Sequence, residues 1–164
     1  ISVAAWHLLE QPTLRERYLA SSEQERYDIL HEILRLEPIV GNLQRRATEE
    51  IKLTQDGQEV VIPQGAFINV HLHGANADTS IVGDYPRAIC PGRELTSNTI
   101  PTMLMSFGDG VHRCPGAYVA IQESDIFLTR LLAEPTIRIK QKPKISWSDL
   151  VTGYEIRDFL VAVD

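Results

Sequence analysis

The stretch "FGDGVHRCPG", Phe107 to Gly116, places one cysteine among three glycines with a histidine two residues before it. A cysteine that merely packs needs no permissive backbone. One that brings its sulfur up to a large flat ligand does, because glycine lets the chain approach closely. The competing reading is a glycine-rich surface loop that leads into a helix.

A helix does follow. "AYVAIQESDIFLTRLLAEP" offers Val119, Ala120, Phe127, Leu128, Leu131 and Leu132 for burial, and Pro115 suits a first helical position because its missing N–H would be unpaired there anyway. The tail from Thr136 predicts two or three short strands with turns at Pro143 and Gly153. Upstream, Ala75 to Met105 is rich in Pro, Gly, Asp, Ser and Thr without a sustained period, which predicts a long coil. Before it, "EEIKL", the Asp56-Gly57 turn, "EVVI" and "AFINVHLHG" predict a small sheet.

The first 38 residues predict three helices. "ISVAAWHLLEQP" is apolar on most faces and stops at Pro12. Thr13 with Glu16 and Ser22 with Glu25 carry the capping-box signature for the next two, and the third ends at Pro38.

The 164 residues, 43% hydrophobic and 23% charged, describe one ordinary domain. A formal net charge of -6 argues against nucleic acid or an anionic membrane as main partner. Two cysteines, Cys90 and Cys114, make no disulfide framework, and no signal peptide or membrane segment is visible, so the expected setting is cytoplasmic.

Glu32 and Arg35 share a helix face at i and i+3. By itself such a pair reads as a solvated salt bridge of little worth. His71 and His73, on one side of a strand, are too few for a structural zinc site, and "KQKPK" reads as a solvated turn.

The frame FGxGxHxCxG, carried by Phe107, Gly108, Gly110, His112, Cys114 and Gly116, would arise by chance less than roughly once in ten million starting positions at average composition. This loop resembles the heme-binding loop of the cytochrome P450 family, with the upstream Glu32 and Arg35 in the order that family requires. "RRATEEIKL", "VIPQGAFINV", "GANADTS" and "PRAICPGR" resemble later segments of its soluble bacterial members. The resemblance implies an α+β, mainly helical fold with small sheets and a long meander coil. It covers only the C-terminal part of the family's domain, so residues 1–164 are expected to be that portion, with the N-terminal half absent.

The resemblance also implies residue roles. Cys114 is the axial thiolate on the iron of heme b (iron protoporphyrin IX), and His112 and Arg45 pair with heme propionates. Glu32, Arg35 and Arg93 form a structural network near the meander, and Ile39, Val40 and Asn42 are candidates for substrate contact in a segment that lines the pocket, the alternative being that they pack internally. The positive end of a helix starting at Pro115 would favour the thiolate, and an iron-bound thiolate favours O–O cleavage. The implied reaction inserts one atom of dioxygen into a small apolar organic substrate, with electrons from an NAD(P)H reductase through a ferredoxin or flavodoxin. Arg113 is a candidate docking residue for an acidic donor. The chain departs from the family pattern at Ala77 and Thr79, which replace an arginine and a proline, and at the "ICP" around Cys90. The alternative is a truncated heme-binding or interaction module without monooxygenase activity.

Overall fold

The structure is a computed structural model that describes every residue except Asp56, Val151 and Asp164. Three helices open it: α1 (Ser2–Glu10), α2 (Pro12–Ala20) and α3 (Glu23–Leu36). Pro12 begins α2 instead of merely ending α1, with Gln11 as its N-cap and Thr13 inside the helix. The cause is local, since proline's fixed φ and missing N–H suit the first turn. For α3 the expected capping box forms, the Ser22 N–H donating to Glu25 Oε2 at 2.9 Å and the Glu25 N–H to Ser22 Oγ at 3.4 Å.

These helices pack with α6 (Ala117–Leu132) around the core. Leu8, Ile29, Ile33 and Leu128 are each 0% exposed, and burial of each contributes about 1.5–3 kcal/mol. The face of α6 that packs carries Ala117, Ile121, Asp125, Leu128 and Leu132. Val119, Ala120 and Phe127 are exposed, contrary to expectation. Apolar residues lie on both sides of α6, so helical spacing alone does not select the face that packs. Pro115 precedes the helix, whose N-cap is Gly116.

The expected small sheet is two separate antiparallel ladders. β1 (Asn42–Arg46) pairs with β4 (Phe67–His71), and β2 (Ile51–Gln55) with β3 (Gln58–Ile62). Of the expected Asp56-Gly57 turn, Asp56 lies outside the described residues, while Gly57 takes φ +76°, a conformation glycine adopts cheaply. The chain leaves β4 at His71 for a helical turn, α4 (Leu72–Ala75), so His73 is not on the strand. Among the described residues the coil from Ala75 to Met105 contains one short helix, α5 (Thr79–Val82).

Among the described residues the tail has four strands: β5 (Arg138–Gln141), β6 (Lys144–Ser148), β7 (Gly153–Arg157) and β8 (Leu160–Ala162). The β6–β7 hairpin sits within the β5–β8 pair. Pro143 separates β5 from β6 as expected, but Gly153 starts a strand. Among the described residues no helix is long and apolar enough to cross a membrane.

Candidate functional site

Phe107 is half-buried and packs against the helical core, anchoring one end of the cysteine loop. The Cys114 N–H donates to the Phe107 carbonyl at 2.8 Å and closes the loop on itself. Inside it, Gly108 and Gly110 take φ of +69° and +64°, where an L side chain would be strained. Gly110 to His112 forms a single tight turn, stapled by the Arg113 N–H to the Gly110 carbonyl at 3.1 Å.

The outcome is an exposed, free thiol at Cys114. A Cβ added at Gly116 would stand 3.9 Å from the sulfur, which places Sγ beside the N-cap of α6. Gly116 supplies no side-chain cap to that helix, and an uncapped N-terminus favours an anion nearby. Exposure, a soft sulfur donor and glycine backbone around it fit a large flat metal-bearing ligand. His112 is also exposed and makes no hydrogen bond within the described residues, leaving both ring nitrogens free for a partner. Arg45, exposed on β1, donates to the Gln44 carbonyl at 2.8 Å, while Arg46 turns to the Gly65 carbonyl at 2.7 Å. Arg113 is exposed, its Nη2 lying 3.6 Å from Met103 Sδ.

Behind the loop lies a buried ionic network. Arg35 is 1% exposed and Glu32 4%, so they are not the solvated pair that their spacing alone suggested. Arg35 donates to both Glu32 oxygens, at 2.6 and 3.1 Å, and to the carbonyls of Asn76, Pro86 and Ala88 at 2.8, 2.7 and 3.0 Å. All the N–H donors of a guanidinium are thereby used. Arg93 approaches Glu32 Oε2 at 3.3 Å and donates to the carbonyls of Val82, Asp84, Tyr85 and Ala88. The Cys90 N–H also donates to Glu32, at 2.9 Å, so this cysteine takes part through its backbone.

Asn76, 0% exposed, links network and loop. Its amide donates to the Arg35 carbonyl at 3.1 Å, and its oxygen accepts from the Met105 N–H at 2.9 Å, two residues before Phe107. Sequence reasoning missed it. The available signal was an amide in "GANAD" at the entry to a coil that must be ordered somehow.

A second buried ionic group was also missed. Asp125 accepts from Tyr18 Oη at 2.6 Å and from Arg26 at 2.7 and 2.9 Å. Burial alone would raise its carboxyl, yet Arg26 and Tyr18 outweigh that and hold it below the usual range. Tyr18, through burial and then its bond to Asp125, is driven far above the usual phenol. Burial likewise lowers the His31 imidazole, whose Nδ1 has no partner.

The remaining candidates separate. The rings of His71 and His73 lie 5.8 Å apart, and His73 stacks on Tyr154 at 5.9 Å. Among the described residues no group of three or more His, Cys, Asp or Glu gathers in a metal-ligating cluster. Ile39 is 68% exposed and Val40 37%, while the Asn42 amide is occupied by the Thr152 carbonyl at 2.8 Å.

The family model described as Cytochrome P450 matches residues 27–152. The chain belongs to the cytochrome P450 family. It is 35% identical over 130 residues to Cytochrome P450 107B1 of Saccharopolyspora erythraea, covering 77% of this chain and 30% of the relative. It is 29% identical over 157 residues to Cytochrome P450 119 of Sulfurisphaera tokodaii, covering 95% and 39%. Against Cytochrome P450 monooxygenase prhD of Penicillium brasilianum it is 29% identical over 163 residues, covering 90% and 30%. The chain thus spans between 30% and 39% of the length of these cytochrome P450 relatives.

The structure of P450BioI in complex with hexadec-9Z-enoic acid ligated acyl carrier protein superposes with a TM-score of 0.80 at 25% identity, covering 100% of this chain and 40% of that one. Mycobacterium smegmatis CYP164A2 with econazole bound gives 0.75 at 26%, covering 99% and 38%. The α+β architecture of helices and small antiparallel ladders is therefore that of a part of the cytochrome P450 fold.

Proposed function

We propose that the chain is the C-terminal portion of a single heme-thiolate monooxygenase domain in which the Cys114 thiolate would hold the iron of heme b. The observation that carries this reading is the exposed, unpaired Cys114 thiol on a loop closed by its own N–H to Phe107 and bent through two left-handed glycines. When bound, the heme supplies activation of dioxygen with two electrons, for insertion of one oxygen atom into a small apolar organic substrate.

The chain's own residues hold and orient. Gly108, Gly110 and Gly116 would leave room for the heme beside the sulfur, Phe107 fixes the loop to the core, and His112 and Arg45 would bind its acid groups. Glu32, Arg35 and Arg93 position the coil that delivers the loop. In the full domain the electrons come from an NAD(P)H reductase through a ferredoxin or flavodoxin, with Arg113 at the docking face, in a cytoplasmic setting. The part of the relatives' length that this chain does not span would complete the substrate cavity.

The test is reconstitution with heme, reduction and addition of carbon monoxide. A red-shifted thiolate-type Soret band that is lost in Cys114→Ser is the expected result, and uptake of heme with an unchanged band in that variant refutes the ligand. A second reading, a heme-binding or interaction module without monooxygenase activity, is favoured by the outer face of α6. There Tyr118, Val119, Ile126 and Phe127 are 48–67% exposed, and apolar surface of that kind calls for a covering partner.

A further inference from the structure

Leu104 is buried, 8% exposed, and yet takes φ +45°, a left-handed conformation that is costly for a bulky residue and persists only where its surroundings impose it. It stands just ahead of Phe107, so whatever holds Leu104 also sets the start of the cysteine loop. The strained residue is held on both sides. Its own N–H donates to the Pro101 carbonyl at 2.8 Å, and the next N–H, that of Met105, donates to Asn76 Oδ1 at 2.9 Å.

Asn76 is itself fixed through main chain and side chain. Its N–H donates to the Leu72 carbonyl at 2.8 Å, its carbonyl accepts from Arg35 Nη1 at 2.8 Å, and its Nδ2 donates to the Arg35 carbonyl at 3.1 Å. The residue is 0% exposed, so water cannot replace the Met105 bond once the amide oxygen is gone. From Met105 the bonding runs on into the loop. The Gly108 N–H donates to the Met105 carbonyl at 3.0 Å, and the Cys114 N–H to the Phe107 carbonyl at 2.8 Å. Beside Leu104 and Met105 lies a cavity of about 230 Å³ that Ala75, Ile81, Ile100 and Asp109 also line, which gives a released segment room to relax.

We infer that Asn76 is a positioning residue for Cys114: by holding the Met105 N–H it keeps Leu104 left-handed and so fixes where the cysteine loop brings its sulfur. The Glu32–Arg35 network thereby acts on the loop through one amide oxygen. The inference deepens the proposed function, on which it rests only for the identity of what the sulfur binds.

The experiment compares the 164-residue chain with Asn76→Ala, which removes both bonds of the amide, and with Asn76→Asp, which keeps an oxygen for Met105 and gives up the donor to Arg35. Two readings need no heme: amide hydrogen exchange, and the Leu104 φ from backbone chemical shifts. In Asn76→Ala the amides of Met105, Gly108 and Cys114 are expected to exchange about tenfold faster. Leu104 leaves the left-handed region, while residues 121–132 of α6 exchange as in the parent. In Asn76→Asp the loop amides and Leu104 behave as in the parent although the urea midpoint falls. Unaltered loop exchange in Asn76→Ala, or equal loosening in both variants, overturns the inference. A uniform rise along the whole chain does so too, because it makes Asn76 merely structural. If Asn76→Ala does not fold, native-state exchange of the parent in low urea carries the test. Met105, Gly108 and Cys114 must then open as one unit, and separate openings overturn the inference. After reconstitution with heme, the carbon monoxide band of Asn76→Ala is expected to lose part of its thiolate-type component and that of Asn76→Asp to keep it. An unchanged band in Asn76→Ala overturns the link to the sulfur, whereas a parent that takes up no heme sinks the proposed function and leaves the exchange test standing.

Discussion

Replacing Arg35 by lysine keeps the charge and removes the shape. The guanidinium makes five hydrogen bonds, two to Glu32 and three to the carbonyls of Asn76, Pro86 and Ala88. An ammonium has three donors on a single nitrogen and cannot span acceptors spread around a planar fork. At least two acceptors lose their partner in a site that is 1% exposed. At about 1–1.5 kcal/mol per bond the expected loss is about 2–3 kcal/mol. Such a loss is a large fraction of the stability of a typical domain, about 5–15 kcal/mol. In urea, with a slope of about 1–3 kcal/mol per molar, the midpoint should fall by about 0.7–3 M. The assay is equilibrium unfolding followed by the fluorescence of Trp6 and Trp147 together with far-ultraviolet circular dichroism. Arg35→Met, which also strands the Glu32 carboxylate, should fall further, although Arg93 at 3.3 Å softens the blow. An Arg35→Lys midpoint indistinguishable from the parent would refute the claim that the fork geometry, and not charge alone, orders the coil.

Two pH effects follow from the core. Asp125 is held below the usual carboxylate range, with Arg26 and Tyr18 outweighing the opposing effect of burial. Its contribution to stability is therefore present above the unfolded value of about 3.9 and is lost as pH falls through the lower folded value. Urea midpoints measured down the acid range should show a shallower acid decline in Asp125→Asn, from a lower plateau, than in the parent. His31 is lowered by burial, with Asp28 opposing. The unfolded chain then takes up its proton first, so stability falls as pH drops below about 6.5 and continues to fall until the folded value is passed. His31→Gln should flatten that segment, and an unaltered profile between neutral and mildly acid pH would show that the imidazole titrates normally.

Much of the fold was legible where chemistry is local. Ser22 and Glu25 announce the start of α3 through a bond they make with each other's backbone, and the glycines of the cysteine loop announce positive φ. What stayed hidden depends on distant partners. Nothing within "AYVAIQESDIFLTRLLAEP" says that Asp125 faces inward, because the reason is Tyr18 and Arg26, 107 and 99 residues away. Phe127 was expected in the core because an apolar residue at the right spacing looks the same whether or not an element covers it. The division of the strands into separate ladders depends likewise on which strand finds which partner. At the site, Cys114 and the Glu32–Arg35 pair could be singled out from sequence, but the burial of that pair, the bridging by Asn76 and the engagement of Asn42 by Thr152 required coordinates.

The acceptors that Arg35 and Arg93 gather from the coil are main-chain oxygens, belonging to Asn76, Val82, Asp84, Tyr85, Pro86 and Ala88. Every amino acid carries that atom. A segment gripped in this manner is read for its path and not for its letters, so unusual residues such as Ala77, Thr79 and Cys90 can stand along it without loosening the grip. Substitution should be cheap along this stretch except where the side chain is itself buried, as at Asn76 and Val82, whereas adding or deleting one residue, which would shift the oxygens out of reach of the two forks, should be ruinous.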